Sequence, residues 1–188
     1  MTEFKKHIET NKKAWNKRTP IHIKSNFYNN EEFKKGKDSL KPIELNAIGD
    51  VKGKSLLHLQ CHFGQDSISF ARMGAKVTGV DFSDAAINEA KRIAAEMNMH
   101  VNFIESNVLD LKLNKEFDII FSSYGVIGWL PDLDKWAATI ATHLKKGGLF
   151  LLTEFHPFLD LIKDNGYDYF YDPKPDIEIE NGTYTDGG

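Results

Sequence analysis

From Gly53 onward, short apolar runs alternate with stretches of helical periodicity, a rhythm that predicts βαβ units around a parallel sheet. The apolar runs place strands at about Ser55–Gln60, Lys76–Asp81, Val101–Glu105, Phe117–Ser123 and Gly148–Glu154. After the second of these, Ile87, Ala90, Ala94 and Met97 fall on one helix face, with Ser83 as N-cap and Asp84 and Glu89 near the positive end. After the fourth, Leu133, Trp136, Ala137, Ile140 and Leu144 form a second face, capped by Asp132 and closed by Lys145, Lys146 and the stop signal Gly147–Gly148. Right-handed crossovers then put helices on both sides of a doubly wound sheet, giving three α/β/α layers.

Upstream, Phe4, Ile8, Asn11 and Trp15 follow helical spacing among Lys5, Lys6, Lys12 and Lys13, which predicts a short amphipathic helix packed on the domain. From Pro20 to Pro42 the chain is polar and irregular, with Phe27, Tyr28 and Phe33 set among Asn, Lys and Gly, and reads as a loop or lid. The organisation expected is residues 1–52 as helix and lid, 53–163 as a ligand-binding core, and 164–188 as an aromatic tail. In that tail, Tyr167, Tyr169, Phe170 and Tyr171 have no period and are read either as pocket lining or as packing onto the core.

A chain of 188 residues, 41% hydrophobic and 27% charged, is one ordinary globular domain by length and composition. Its formal net charge of -3 supplies no global basic field, so a nucleic-acid substrate is disfavoured. Cys61 is the single cysteine, which rules out an intramolecular disulfide. The opening MTEFKKHIETNKKAW lacks the apolar core of a signal peptide, and no later run approaches a membrane span. A cytoplasmic protein is expected.

The chemistry concentrates in LLHLQCHFGQDSISFARMGAKVTGVDFS, where a buried strand enters a turn near Gly64, a helix follows, and a second strand ends at Asp81. In such a nucleotide-binding half the ligand sits beyond the strand ends, and an acidic residue closing the second strand accepts hydrogen bonds from ribose hydroxyls. Asp81 lies 17 residues after Gly64 (81 − 64) and 21 after Gln60 (81 − 60), which brackets the spacing of about 20 for this arrangement. The competing role, capping the next helix, can be filled by Ser83, so the ligand role is favoured for Asp81.

These segments, with NFIESNVLDL, FDIIFSSYGVIGWL and LKKGGLFLLTEFHP in that order, resemble the class I S-adenosylmethionine-dependent methyltransferases from about Gly53 to Pro157, and HLQCHFGQDS looks like a variant subgroup's first motif. The resemblance implies a Rossmann-like fold, S-adenosylmethionine as cofactor with S-adenosylhomocysteine as product, and a small-molecule acceptor. The implied cofactor-binding residues are Gln60, Cys61, His62, Gly64, Asp81, Phe82, Ser83, Asn107, Val108, Ser123 and Tyr124. Where the family has an acidic residue and three glycines, this chain has His58, Gln60, His62 and Gly64, so Gln60 and His62 are expected to hold the cofactor differently. Asn107 stands where relatives carry an adenine-binding aspartate; its amide oxygen suits that bond, and an ordinary turn suits it equally.

The family closes its sheet with a further β-hairpin, to which Asp176–Glu180 and Thr183–Thr185 match poorly. A truncated chain with the apolar edge Leu149, Phe150, Leu151 and Leu152 is therefore expected. That edge is expected either to form a homodimer or to be covered by the tail Asp176–Thr185.

A metal site at His58, Cys61 and His62 is disfavoured, because residues 58 and 61 of a strand face opposite ways and no fourth ligand is near. Cys61 reads as an apolar filler rather than a nucleophile. An NAD-dependent oxidoreductase would show G-x-G-x-x-G, and this window has one glycine. Trp129, Trp136 and Phe155 are assigned to packing. If the acceptor must lose a proton, His22, His156 and Tyr28 are the candidate bases. Two function classes remain: a methyltransferase, and a cofactor-binding protein without transfer activity.

Overall fold

The computed structural model describes residues 3–156, 158, 177, 179 and 182–185. The aromatic run 167–171 lies outside the described residues. The helices are α1 (Glu3–Lys24), α2 (Asn30–Lys34), α3 (Pro42–Ile48), α4 (Gln65–Arg72), α5 (Asp84–Glu96) and α6 (Leu133–His143). The strands are β1 (Ser55–Leu59), β2 (Lys76–Asp81), β3 (Asn102–Glu105), β4 (Phe117–Ser123) and β5 (Leu144–Thr153), and a 3₁₀ turn spans Ile127–Trp129.

All the pairings are parallel, in the order β3-β2-β1-β4-β5. This is the Rossmann-like, doubly wound arrangement that the alternating pattern predicts. The central strand β1 is buried along its whole length, as expected where both faces are covered. Its alternation sorts the core: Leu56 joins Ile119, Phe121, Val77 and Phe70 on one face, and Leu57 and Leu59 join Val80, Ile120, Trp136 and Ile140 on the other. A third cluster seats α5, through Ile87, Ala90 and Ile93, against Phe63, Ile68 and Phe103.

The N-terminal segment departs from the reading of an irregular stretch between Pro20 and Pro42. Helix α1 runs 22 residues straight through Pro20, α2 follows, and α3 begins at Pro42. Tertiary contacts override the proline, which removes only one helical hydrogen bond donor. Asn16 donates to Asp84 at 2.8 Å and accepts from the Ser83 hydroxyl at 2.6 Å, and Lys12 reaches Glu105 at 2.6 Å. Thr19 and His22, on either side of Pro20, are fully buried.

The start of β5 is a second correction. Gly147 and Gly148 do not stop a helix; α6 ends at His143 and the strand has begun by Leu144. Phe117 pairs with Leu144 and Ile119 with Leu149, so the Lys145–Gly148 stretch is an irregularity inside the strand. A Cβ on Gly148 would lie 2.8 Å from Leu144 and 2.9 Å from the Lys145 carbonyl oxygen, which accounts for glycine there.

The tail does not add to the sheet in its described part. Ile177 and Ile179 are exposed and lie in no strand, while Tyr184 packs against His22 and Tyr28. No helix among the described residues is long and apolar enough to cross a membrane.

Candidate functional site

The carboxyl ends of β1, β2 and β4 open onto a cavity of about 790 Å³. Its floor is the turn that follows β1. In that turn Gln60, His62 and Gly64 all have positive φ, at 56°, 50° and 80°. The left-handed backbone that glycine adopts freely is thus kept by two residues with side chains, at roughly 1–2 kcal/mol each. Surrounding bonds hold it in place: the Gln60 amide donates to the Val126 carbonyl at 3.2 Å, Cys61 N–H to Val80 at 2.9 Å, and His62 N–H to Asp81 at 2.8 Å. Gly64 is a glycine for a second reason, since a Cβ there would lie 2.6 Å from the Phe103 ring.

Asp81 ends β2 with 7% of its surface exposed and lines the cavity. One carboxylate oxygen accepts from His62 N–H and the other from Ser83 N–H, both at 2.8 Å. Burial pushes its carboxyl up to about 6, against the downward pull of these backbone donors. Phe82 N–H is a further backbone donor, and the carboxylate's four acceptor sites still leave room for another. Phe82 lines the cavity beside it, whereas Ser83 sits behind the wall, capping α5 by accepting from Ala86 N–H at 3.1 Å. Asn107 and Val108 also line the space. The Asn107 amide is engaged locally, accepting from Leu109 N–H at 3.1 Å and donating to Asp110 at 3.0 Å, so its side chain serves the turn.

At the end of β4, Ser122 is buried and donates to the Leu59 carbonyl, while Ser123 and Tyr124 face the cavity. The Ser123 hydroxyl donates to Asp66 at 3.3 Å, and the Tyr124 hydroxyl donates to Glu44, a buried carboxylate that also accepts from Lys41 N–H. Burial, then the Glu44 bond, pushes the Tyr124 phenol up. The loop beyond Tyr124 is clamped by Glu154, whose carboxylate accepts from the N–H groups of Gly125, Val126 and Ile127, the last two at 2.8 Å.

Ten of the eleven residues singled out from sequence therefore share one cavity, Ser83 being the exception. The sequence reading missed the wall supplied by α1. Trp15 meets Trp129 edge to face at 5.4 Å, and the Arg18 guanidinium lies 5.5 Å and 5.3 Å from these two rings. Trp129 and Phe155, read as packing residues, line the cavity, while Trp136 is in the core. Asp66, beside Gly64 on the first turn of α4, was also missed, although its place after the motif glycine was a signal.

Of the three candidate bases, Tyr28 lines the cavity with its hydroxyl bonded to that of Tyr184. His22 Nδ1 lies 2.9 Å from His62 Nε2, and His156 is exposed and accepts from Phe158 N–H. Burial, reinforced by His22, holds the His62 imidazole well below its ordinary value. His58 bonds Ser67 at 2.8 Å, and burial pushes the Cys61 thiol far up, so neither carries charge at neutral pH.

Residues 56–148 match the sequence profile of a methyltransferase domain. The ubiquinone biosynthesis O-methyltransferase of Coxiella burnetii (strain Dugway 5J108-111) is 33% identical over 119 residues, covering 61% of this chain and 50% of that protein. The chain spans about half the length of the curated relatives it matches. Among solved structures, one reported under "Conversion of a Disulfide Bond into a Thioacetal Group during Echinomycin Biosynthesis" has a TM-score of 0.53 and 26% identity, over 58% of this chain and 48% of that one. The glycopeptide N-methyltransferase MtfA, complexed with sinefungin, shares the fold at a TM-score of 0.53 and 23% identity, over 58% of this chain and 50% of that one.

Proposed function

The chain carries a methyltransferase domain of the class I, S-adenosylmethionine-dependent family, and from that premise we infer that its cavity binds S-adenosylmethionine and presents the methyl group to a small-molecule acceptor. The observation that carries the reading is the pairing of Asp81 with the left-handed turn 60–64 at the mouth of β1 and β2. The cavity volume falls within the usual range for small-molecule sites, roughly 300–1,000 Å³.

In this reading Asp81 accepts the ribose hydroxyls, Asn107 and Val108 flank the adenine, and Gln60 to Gly64 lie along the methionine portion. S-adenosylmethionine, when bound, supplies a sulfonium methyl whose positive charge makes the departing thioether a good leaving group. The chain's own contribution is to position and to exclude water. Trp15, Arg18 and Trp129 close one side, and Glu154 with Gln60 fixes the loop that carries Tyr124. The acceptor enters beside Ser123, Tyr124 and Phe155.

The O-methyltransferase names among the relatives support an oxygen nucleophile, and the net charge of -3 supports a small molecule over a nucleic acid. Retention of the turn's backbone favours a cofactor-binding site over a decayed one. Calorimetry with S-adenosylmethionine, S-adenosylhomocysteine and NAD tests the reading: the first two are expected to bind and NAD not. Binding of NAD in preference to both would sink it. A protein that binds the cofactor but methylates none of a panel of phenols, catechols and amines would instead be the binding protein without transfer.

A further inference from the structure

We propose that Asp66 supplies the anion that faces the α-ammonium group of the cofactor's methionine portion, in a chain whose β1 carries neutral His58 where the family pattern has an acidic residue. The proposal rests on the reading of the cavity as an S-adenosylmethionine site.

His58 lines the cavity but offers no charge. It is 3% exposed, its ring lies 4.9 Å from that of Phe121, and burial holds the imidazole down to about 3. A ligand ammonium group placed near it would lose water without gaining a counter-charge, a costly exchange in a buried site. Asp66 stands next in the chain to Ser67, the residue His58 bonds, and lines the same cavity from the first turn of α4. The groups acting on its carboxylate are the hydroxyls of Ser39 and Ser123 and the carboxylates Glu44 and Asp38. Both oxygens of Glu44 are engaged, by Lys41 N–H and by the Tyr124 hydroxyl, and Asp38, which also lines the cavity, is exposed and accepts from Leu40 N–H, so Asp66 is the part-buried carboxylate that faces a ligand on this side. The two lysines on this wall are Lys37 and Lys41, and the Lys41 ammonium lies over the Tyr124 ring at 4.6 Å.

Topology sets the direction. β1 lies between β2 and β4, so a ligand anchored by its ribose at Asp81 on β2 crosses the turn 60–64 and reaches Asp66, which is bonded to Ser123 at the end of β4. Burial already pushes the Asp66 carboxyl up, and a cation seated against it stabilises the ionised form.

The test compares S-adenosylhomocysteine with its deamino analogue by calorimetry, on the wild type and on Asp66→Asn, with 5′-methylthioadenosine reporting the adenosine end alone. The wild type is expected to bind S-adenosylhomocysteine at least tenfold more tightly than the deamino analogue. Asp66→Asn is expected to bind the two about equally, with 5′-methylthioadenosine changed less than twofold. Should Asp66→Asn fail to bind 5′-methylthioadenosine, Asp66→Ser is judged by the same ratio. A wild type indifferent to the amino group, or a folded variant that keeps the full ratio, overturns the assignment. A wild type that binds neither S-adenosylhomocysteine nor 5′-methylthioadenosine overturns the cofactor reading beneath it.

Discussion

Gln60 and His62 hold a backbone conformation that their side chains oppose, and Gly64 holds one that a side chain could not. Gly64→Ala combines an unfavourable φ of 80° with a 2.6 Å approach to Phe103, and is expected to cost roughly 2–4 kcal/mol in urea unfolding. Asp81 carries a pH signature. A carboxyl raised from 3.8 to about 6 by folding stabilises the free protein most below the lower value and loses that contribution as pH rises through the upper one. Ribose hydroxyls need the ionised form, so S-adenosylhomocysteine affinity should be flat above about pH 7 and fall as pH drops through 6. Asp81→Ala should lower that affinity more than tenfold at neutral pH, and a smaller loss in calorimetry would count against the ribose role. The sequence singles out Asp81 and Gly64 because their types and spacing are tied to chemistry, and both line the cavity. It did not reveal that Gln60 and His62 stay left-handed, because bonds to Val126 and Asp81, remote in the chain, impose it.

Among the elements, β2 and β4 have the bounds their apolar runs predict, since a buried parallel strand writes itself as a continuous hydrophobic run. Helix α1 was only half legible. Its first turns show the period, but Pro20 looks like an end, and the contacts made beyond it, His22 to His62 and Ile23 to the cluster around Phe63 and Ile87, come from residues remote in the chain. Pro20→Ala should therefore restore a helical hydrogen bond at an exposed position and stabilise the protein by about 1–3 kcal/mol, seen as a higher denaturant midpoint with unchanged slope. The skip in register at Lys145–Gly148 was hidden because two glycines after a helix read equally well as a helix stop.

At the scale of the whole molecule, the cavity is assembled from segments far apart in the chain, which is why the sequence exposed its floor and missed much of its walls. Glu154 joins the end of β5 to the loop after β4 through three N–H groups. Glu154→Ala should leave those donors without their acceptor, lowering stability by roughly 2–4 kcal/mol and loosening S-adenosylhomocysteine binding, both measurable on one purified variant.

Helix α1 has a further consequence, in time rather than in space. Its polar partners at the head of α5 and on β3 stand 67 to 93 residues later in the chain, so the helix has few groups to dock on until much of the sheet exists. Closing so long a loop is slow, and a proline discourages the helix from forming early on its own. The sheet should therefore form as an open basin that α1 roofs last. In a variant keeping Trp15 as its single tryptophan, stopped-flow refolding should show the fluorescence change lagging behind the circular dichroism of the sheet and helices; coincident phases would mean that roof and basin form together.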